Sequence, residues 1–313
     1  MARIHLRQRK YDPAADVLVP LLALLLAACG AATKPPETGR PRAGGAPYPV
    51  VLAASEERRQ GAIAAWATIA GAQATPAPTP ELRPVTATLV SLPPNLAAPV
   101  RMPKVVIQDE NELSEEEIRE SLRRFIATAA PLLGVSTGEL SLVAVTEVVG
   151  SNNVRRALYR QNPFLHPLRN GYGDVTVTFT DDLRVTGLSS TAVPEAERLR
   201  RALAAVALGL PAFDPATLTN RAVTYTDRAG ARQTRTLSQS DAATVRQLVV
   251  YPLRRDADPS TLELHVAWET AAGTAASPLY VYVDAVTGEV LGASETVPEK
   301  TPPAPAQAPT PGR

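Results

Sequence analysis

Apolar residues along the chain recur with two different periods, and the switches between them outline the fold. Ser55 to Ala70 sets Ile63, Trp66 and Ile69 on one helical face, behind a cap-like Ser55 and an acidic first turn, so a helix is predicted there. Trp66 reads as the packing anchor of that stripe. Ser114 to Gly134 carries the capping box Ser114/Glu117 and then Ile118, Leu122, Phe125, Ile126 and Ala129 on one face, which predicts a second helix. The period then drops to two. Alternating, β-branched runs at Leu140–Val149, Val154–Gln161, Asp174–Thr180 and Arg184–Ser189 predict a meander, with turns at Asn170-Gly171 and Asp181-Asp182. Pro194 opens a third helix striped by Leu199, Leu203, Val206 and Leu210, followed by strands at Arg221–Thr226, Gln247–Leu253, Leu262–Thr270, Leu279–Val286 and Glu289–Gly292. Helix then sheet, twice over, predicts an α+β fold of two consecutive units, each laying its helix on a curved antiparallel sheet.

Outside these units the pattern changes character. Arg3, Arg7, Arg9 and Lys10 precede an apolar run, Val17–Ala28, that is too short to span a bilayer and ends in small residues before Cys29. Residues 1–28 therefore read as a signal peptide. Leu26-Ala27-Ala28-Cys29 resembles the lipobox of bacterial lipoproteins. That resemblance implies cleavage between Ala28 and Cys29, lipid on Cys29, and an anchored protein on the non-cytoplasmic side of the cell envelope. Cys29 is the only cysteine, so an internal disulfide is excluded. Residues 29–47 read as a flexible tether, 48–104 as a helical extension with a Pro-rich linker, 105–192 and 193–297 as the two α+β units, and 298–313 as a disordered Pro-rich tail.

Charge narrows the partners. The formal net charge is +1. Residues 1–28 hold four basic residues against Asp12 and Asp16, +4 − 2 = +2, which leaves the remainder at about −1. With no basic stripe and few aromatics, nucleic acid is not expected as a partner.

Candidate catalytic groups are few. Gly134-Val-Ser-Thr-Gly138 fits the pattern G-x-S-x-G, but a nucleophile elbow needs a strand before the serine and a helix after it. Here the helix comes first, so Gly134 reads as a helix C-cap and Ser136 as part of a loop. His166 falls in a Pro-flanked loop and is expected to be solvated. His265 alternates with Leu264 and Val266 and is expected on the polar face of a strand. Asp181, Asp182 and Asp284 sit at hairpins, where Asp caps turns. No catalytic, cofactor-binding or metal-binding residue is assigned on these grounds, and no cofactor is expected.

Gln247–Leu253, Leu262–Trp268 and Tyr280–Leu291, ending in Val-Asp-Ala-Val-Thr-Gly-Glu-Val-Leu, resemble the PepSY domain in propeptides of thermolysin-like and fungalysin-like metalloproteases. Ala157–Gln161 and Val175–Gly187 resemble the FTP segment that precedes it. The resemblance spans roughly residues 114 to 297 and implies two cystatin-like modules that bind a protease and assist or restrain it. The catalytic His-Glu-x-x-His of those precursors has no counterpart in this sequence. A non-enzymatic envelope lipoprotein acting on an exported protease, in particular a metalloprotease, is the resulting expectation. An envelope structural or assembly factor using the same modules for general protein contacts is the alternative.

Overall fold

Why each helix starts and stops where it does is visible at its ends. A computed structural model describes residues 47–71, 78–105, 114–151, 153–162, 164–227, 229–241, 243–274 and 277–295. Helix α1, Glu56–Ala70, is capped by Ser55, whose hydroxyl accepts from Arg58 N at 3.2 Å. Its buried side is mostly small, with Ala62, Ala65 and Ala70 flanking Trp66. Alanine at those positions lets α1 approach helix α2, Glu115–Leu133, closely. Trp66 is 2% exposed and its indole N–H donates to Pro78 O at 2.9 Å, so burying the ring leaves no polar group unpaired. Both bonds of the predicted capping box at Ser114/Glu117 are present, and α2 ends at Gly134 in the left-handed region, φ 72°.

The first sheet is a five-stranded antiparallel array in the order β4-β8-β7-β6-β5. Its strands are β4 (Val100–Arg101), β5 (Leu140–Glu147), β6 (Val154–Gln161), β7 (Asp174–Thr180) and β8 (Arg184–Ser190). β5 to β8 form the predicted meander. Ile118, Leu122, Phe125 and Ile126 of α2 pack with Ala157, Tyr159, Val175, Val177 and Phe179 into one core, which Trp66 joins. A small hairpin, β2 (Glu81–Leu82) with β3 (Leu89–Ser91), lies against it, and Thr88 Oγ1 donates to Ser190 O at 3.1 Å.

The second sheet has seven strands, and β12 (Asp258–Thr274) is its spine. β11 (Thr244–Arg255) pairs with it from Ala271 to Asp258. On the opposite edge β1 (Val50–Ala53) takes Leu264 to Thr261, and β13 (Ser277–Asp284) then takes residues 267–274. β14 (Val290–Ser294), β9 (Ala222–Thr226) and β10 (Arg232–Thr236) complete the array. Helix α3, Ala196–Ala207, presses Leu199 and Leu203 onto Val50, Leu52, Leu264 and Val266. The α+β class expected from the sequence is therefore present, with one helix laid on each large sheet. Residues 48–104 supply α1 and also four strands, of which β1 joins the second sheet and β4 the first. Gln161 links the end of β6 to the segment leading into α3, donating to Val193 O and accepting from Val193 N, both at 2.9 Å.

Candidate functional site

Cys29 and Ala28, the lipidation and cleavage positions, lie outside the described residues, as do the signal peptide, most of the tether and the Pro-rich tail. Among the described residues no helix is long and apolar enough to cross a membrane, and no group of three or more His, Cys, Asp or Glu side chains converges as a metal site would require.

Ser136 of the G-x-S-x-G string lies after α2, at the start of a 3-10 turn Thr137–Glu139 that runs into β5. Its backbone N–H is held by Glu139 Oε2 at 2.8 Å and it is exposed, so the order of elements is the reverse of a nucleophile elbow. His166 is half-buried, not freely solvated, and that burial holds its pKa below the ordinary value. Asp181 and Asp182 point to different arginines: Asp181 to Arg155 at 3.2 Å, Asp182 to Arg184 at 2.8 Å and Arg101 at 3.6 Å.

His265 departs from the sequence expectation. It is 3% exposed, with Nδ1 at 2.6 Å from Asp284 Oδ2 and Nε2 at 3.0 Å from Glu263 Oε2. The Tyr48 hydroxyl donates to the same Asp284 oxygen at 2.7 Å, and its ring meets the imidazole edge-on at 5.7 Å. The other Asp284 oxygen caps the hairpin, accepting from Val286 N at 2.7 Å and Thr287 N at 2.8 Å. The turn-capping role read from the sequence is thus half of what this carboxylate does. Burial works to raise the Asp284 pKa, but the bonds from His265, Thr287 N–H, Tyr48 and Val286 N–H outweigh it and hold the group below its usual value. Tyr48 moves the other way, raised first by burial and then by the Asp284 charge. Glu263 passes the chain on to Arg255 at 2.9 Å, which also holds Glu289 at 3.1 Å. With both ring nitrogens occupied and no open face, His265 fastens β12 to Tyr48 and β13 and has no access to a substrate.

A second ionic cluster sits on the same face. Glu269, fully buried, accepts from Arg169 Nε at 2.6 Å and Gln247 Nε2 at 3.2 Å and pairs with Arg246 at 3.0 Å, while Arg246 stacks over Tyr280 at 5.0 Å. Arg169 arrives from the loop after β6, where Leu168 bridges to Val250 and Arg169 N donates to Val250 O at 3.0 Å. That loop covers the middle of β11's outer edge. The pairing is incomplete, because the buried Arg169 Nη2 has no hydrogen-bond partner among the described residues.

An accessible surface remains at the far edge of the first sheet. Among the described residues β5 pairs with β6 alone, leaving its outer row of backbone groups without strand partners from Leu140 to Glu147, interrupted by a register shift between Leu142 and Ala144. Beside this edge runs a groove of about 280 Å3 lined by Arg119, Arg123 and Ile126 of α2, Thr137 of the 3-10 turn, Leu140 and Leu142 of β5, and Tyr159 of β6. Its floor is apolar and its rim cationic. β10 is also an edge, but its residues are all polar. Composition did not single out this groove, because its residues come from a helix face, a turn and two strands.

No family model matches this chain, and no curated protein matches it. Among solved structures it is similar to the Bacillus megaterium YpeB C-terminal domain, at 11% identity and a TM-score of 0.22, over 61% of this chain and 69% of that one.

Proposed function

We propose that this chain is a non-catalytic lipoprotein of the bacterial cell envelope, anchored through lipid on Cys29, whose two α+β units are cystatin-like modules that bind an exported protease and modulate it. The observation that carries the reading is the open edge of β5 beside an apolar groove. Strand edges left unpaired along an apolar groove are the acceptors of strand addition, in which backbone bonds give affinity and alternate side-chain slots give selectivity. The burial and saturation of His265 by Asp284 and Glu263 supports a binding role over a catalytic one. The PepSY-like residues Tyr280–Leu291 supply the protease as the expected partner.

The test is crosslinking and recovery of tagged full-length protein from the source envelope, mass spectrometry of what is bound, and an activity assay on any protease recovered. A stoichiometric protease whose activity changes on adding the chain supports the reading. Recovery of envelope-assembly components with no protease effect replaces it with the structural alternative.

A further inference from the structure

We propose that the groove between α2 and the β5 edge receives an extended peptide segment that carries an acidic side chain among apolar ones, the carboxylate being taken by Arg119 and Arg123. This rests on the protein-binding reading above and names the chemistry of what is bound. Of the lining residues only these two are charged, and both are cations. Their side chains are 64% and 60% exposed, so they reach a ligand without reorganising the core.

Each arginine is held at present by a neighbour on its own helix, Arg119 by Glu115 at 3.3 Å and Arg123 by two bonds to Glu120, at 2.7 and 2.8 Å. The exposed single-bond pair of Arg119 is weak and exchanges readily, whereas Arg123 has to exchange a two-bond pair for the ligand. Glu120 is moreover shared, because Arg124 Nε also donates to it at 2.7 Å. Arg123 can therefore turn to a ligand while Arg124 keeps Glu120 paired, which avoids stranding a carboxylate. Beneath the cations, Ile126 and Tyr159 are buried and Leu140 and Leu142 half-buried, an apolar floor wide enough for a side chain. Alternation along an added strand sends every second side chain to the helix side, so an apolar residue and an acidic residue two positions on would meet floor and rim in turn. A second copy of the chain pairing through β5 would set a duplicate pair of arginines on the same face, against the charge preference.

The test uses full-length protein and capped, fluorescent short peptides of alternating Thr and Val in which one Val-phase position is Glu, Gln or Lys, read by fluorescence polarisation. The Glu peptide is expected to bind about tenfold tighter than the Lys peptide, with Gln between, as a charge-assisted contact implies. The double variant R119E/R123E, on an exposed helix face, should invert that order. R119Q/R123Q should level it, and circular dichroism checks the helix content of both. Equal affinity for the three peptides overturns the inference while leaving strand addition at β5 intact. Absence of peptide binding overturns it as well, and dimerisation seen by sedimentation in that case assigns the edge to a second copy. Failure of the underlying reading shows separately, as an envelope pull-down that recovers no partner even when these peptides bind.

Discussion

Replacing Asp284 should be among the most damaging single changes in the second sheet. Its carboxylate is fully buried and accepts four bonds, from Tyr48 Oη, His265 Nδ1, Val286 N and Thr287 N. Asp284→Ala strands the tyrosine hydroxyl, leaves the buried imidazole facing only Glu263, and uncaps the β13–β14 turn. Each buried donor left unpaired costs about 1–3 kcal/mol, and the uncapped turn adds to that. Asp284→Asn keeps an acceptor for the turn but loses the charge, so about 1–3 kcal/mol is expected. Tyr48→Phe should cost about 1 kcal/mol on its own and close to nothing in the Asp284→Ala background, because the bond it removes is already gone. The assay is urea unfolding followed by both far-UV circular dichroism and tryptophan fluorescence, with coincident curves licensing the two-state treatment. An Asp284→Ala loss below about 1 kcal/mol, or strict additivity with Tyr48→Phe, would refute the idea that this network is a fastener.

Three further outcomes are expected. Trp66→Ala should cost about 3–5 kcal/mol in urea unfolding, since it opens a cavity in the core that joins α1 to α2. Gly292→Ala should destabilise by about 1–3 kcal/mol, because the added Cβ would collide with the Tyr251 hydroxyl, whose ring is buried against Tyr282 at 4.8 Å. Tyr251→Phe should recover most of that loss in the double variant. Alkaline titration should bring cooperative unfolding: Tyr48, Tyr159, Tyr251 and Tyr282 all have folded pKa values raised above the ordinary 10, Tyr159 and Tyr251 to about 12, mainly through burial. Their neutral forms are favoured by the fold, so that stability is intact below about pH 10 and falls as pH rises from there toward the folded values. A circular dichroism signal and urea midpoint unchanged between pH 9 and about 12 would contradict it.

The helices and the meander were legible because each carries its own local signal. Ser114 and Glu117 announce α2, and β6 and β7 occupy the predicted residues Val154–Gln161 and Asp174–Thr180. Strands held by a distant partner, β1 and β4, are short and carry little local signal, and β10 (Arg-Gln-Thr-Arg-Thr), although it pairs with neighbouring β9, has no apolar alternation at all. His265 shows a subtler failure. The alternation along β12 matches the structure, with Leu262, Leu264 and Val266 toward α3. Polarity at alternate positions predicts that the opposite face is wet, whereas it carries the buried Tyr251, Tyr280 and Tyr282, with Tyr48 against His265 and Arg169 on Glu269. Tyrosines recurring at alternate positions in Leu279–Asp284 were the available sign that this face is covered. The groove at β5 had no such sign, since it depends on how α2 lies across the sheet.

The placement of β1 bears on the order in which the protein can be completed. Val50 pairs with Leu264, so nearly the whole described chain must exist before the first strand finds its seat. Contacts this distant in sequence are closed late and at high entropic cost, while the β5–β8 meander can form from neighbours as they are synthesised. A ribosome-bound fragment ending before β12 would hold a finished meander and a homeless leading strand. The seven-stranded sheet closes only once β12, β13 and β14 have followed, and until β1 docks, the flank of β12 from Thr261 to Leu264 is open to foreign strands.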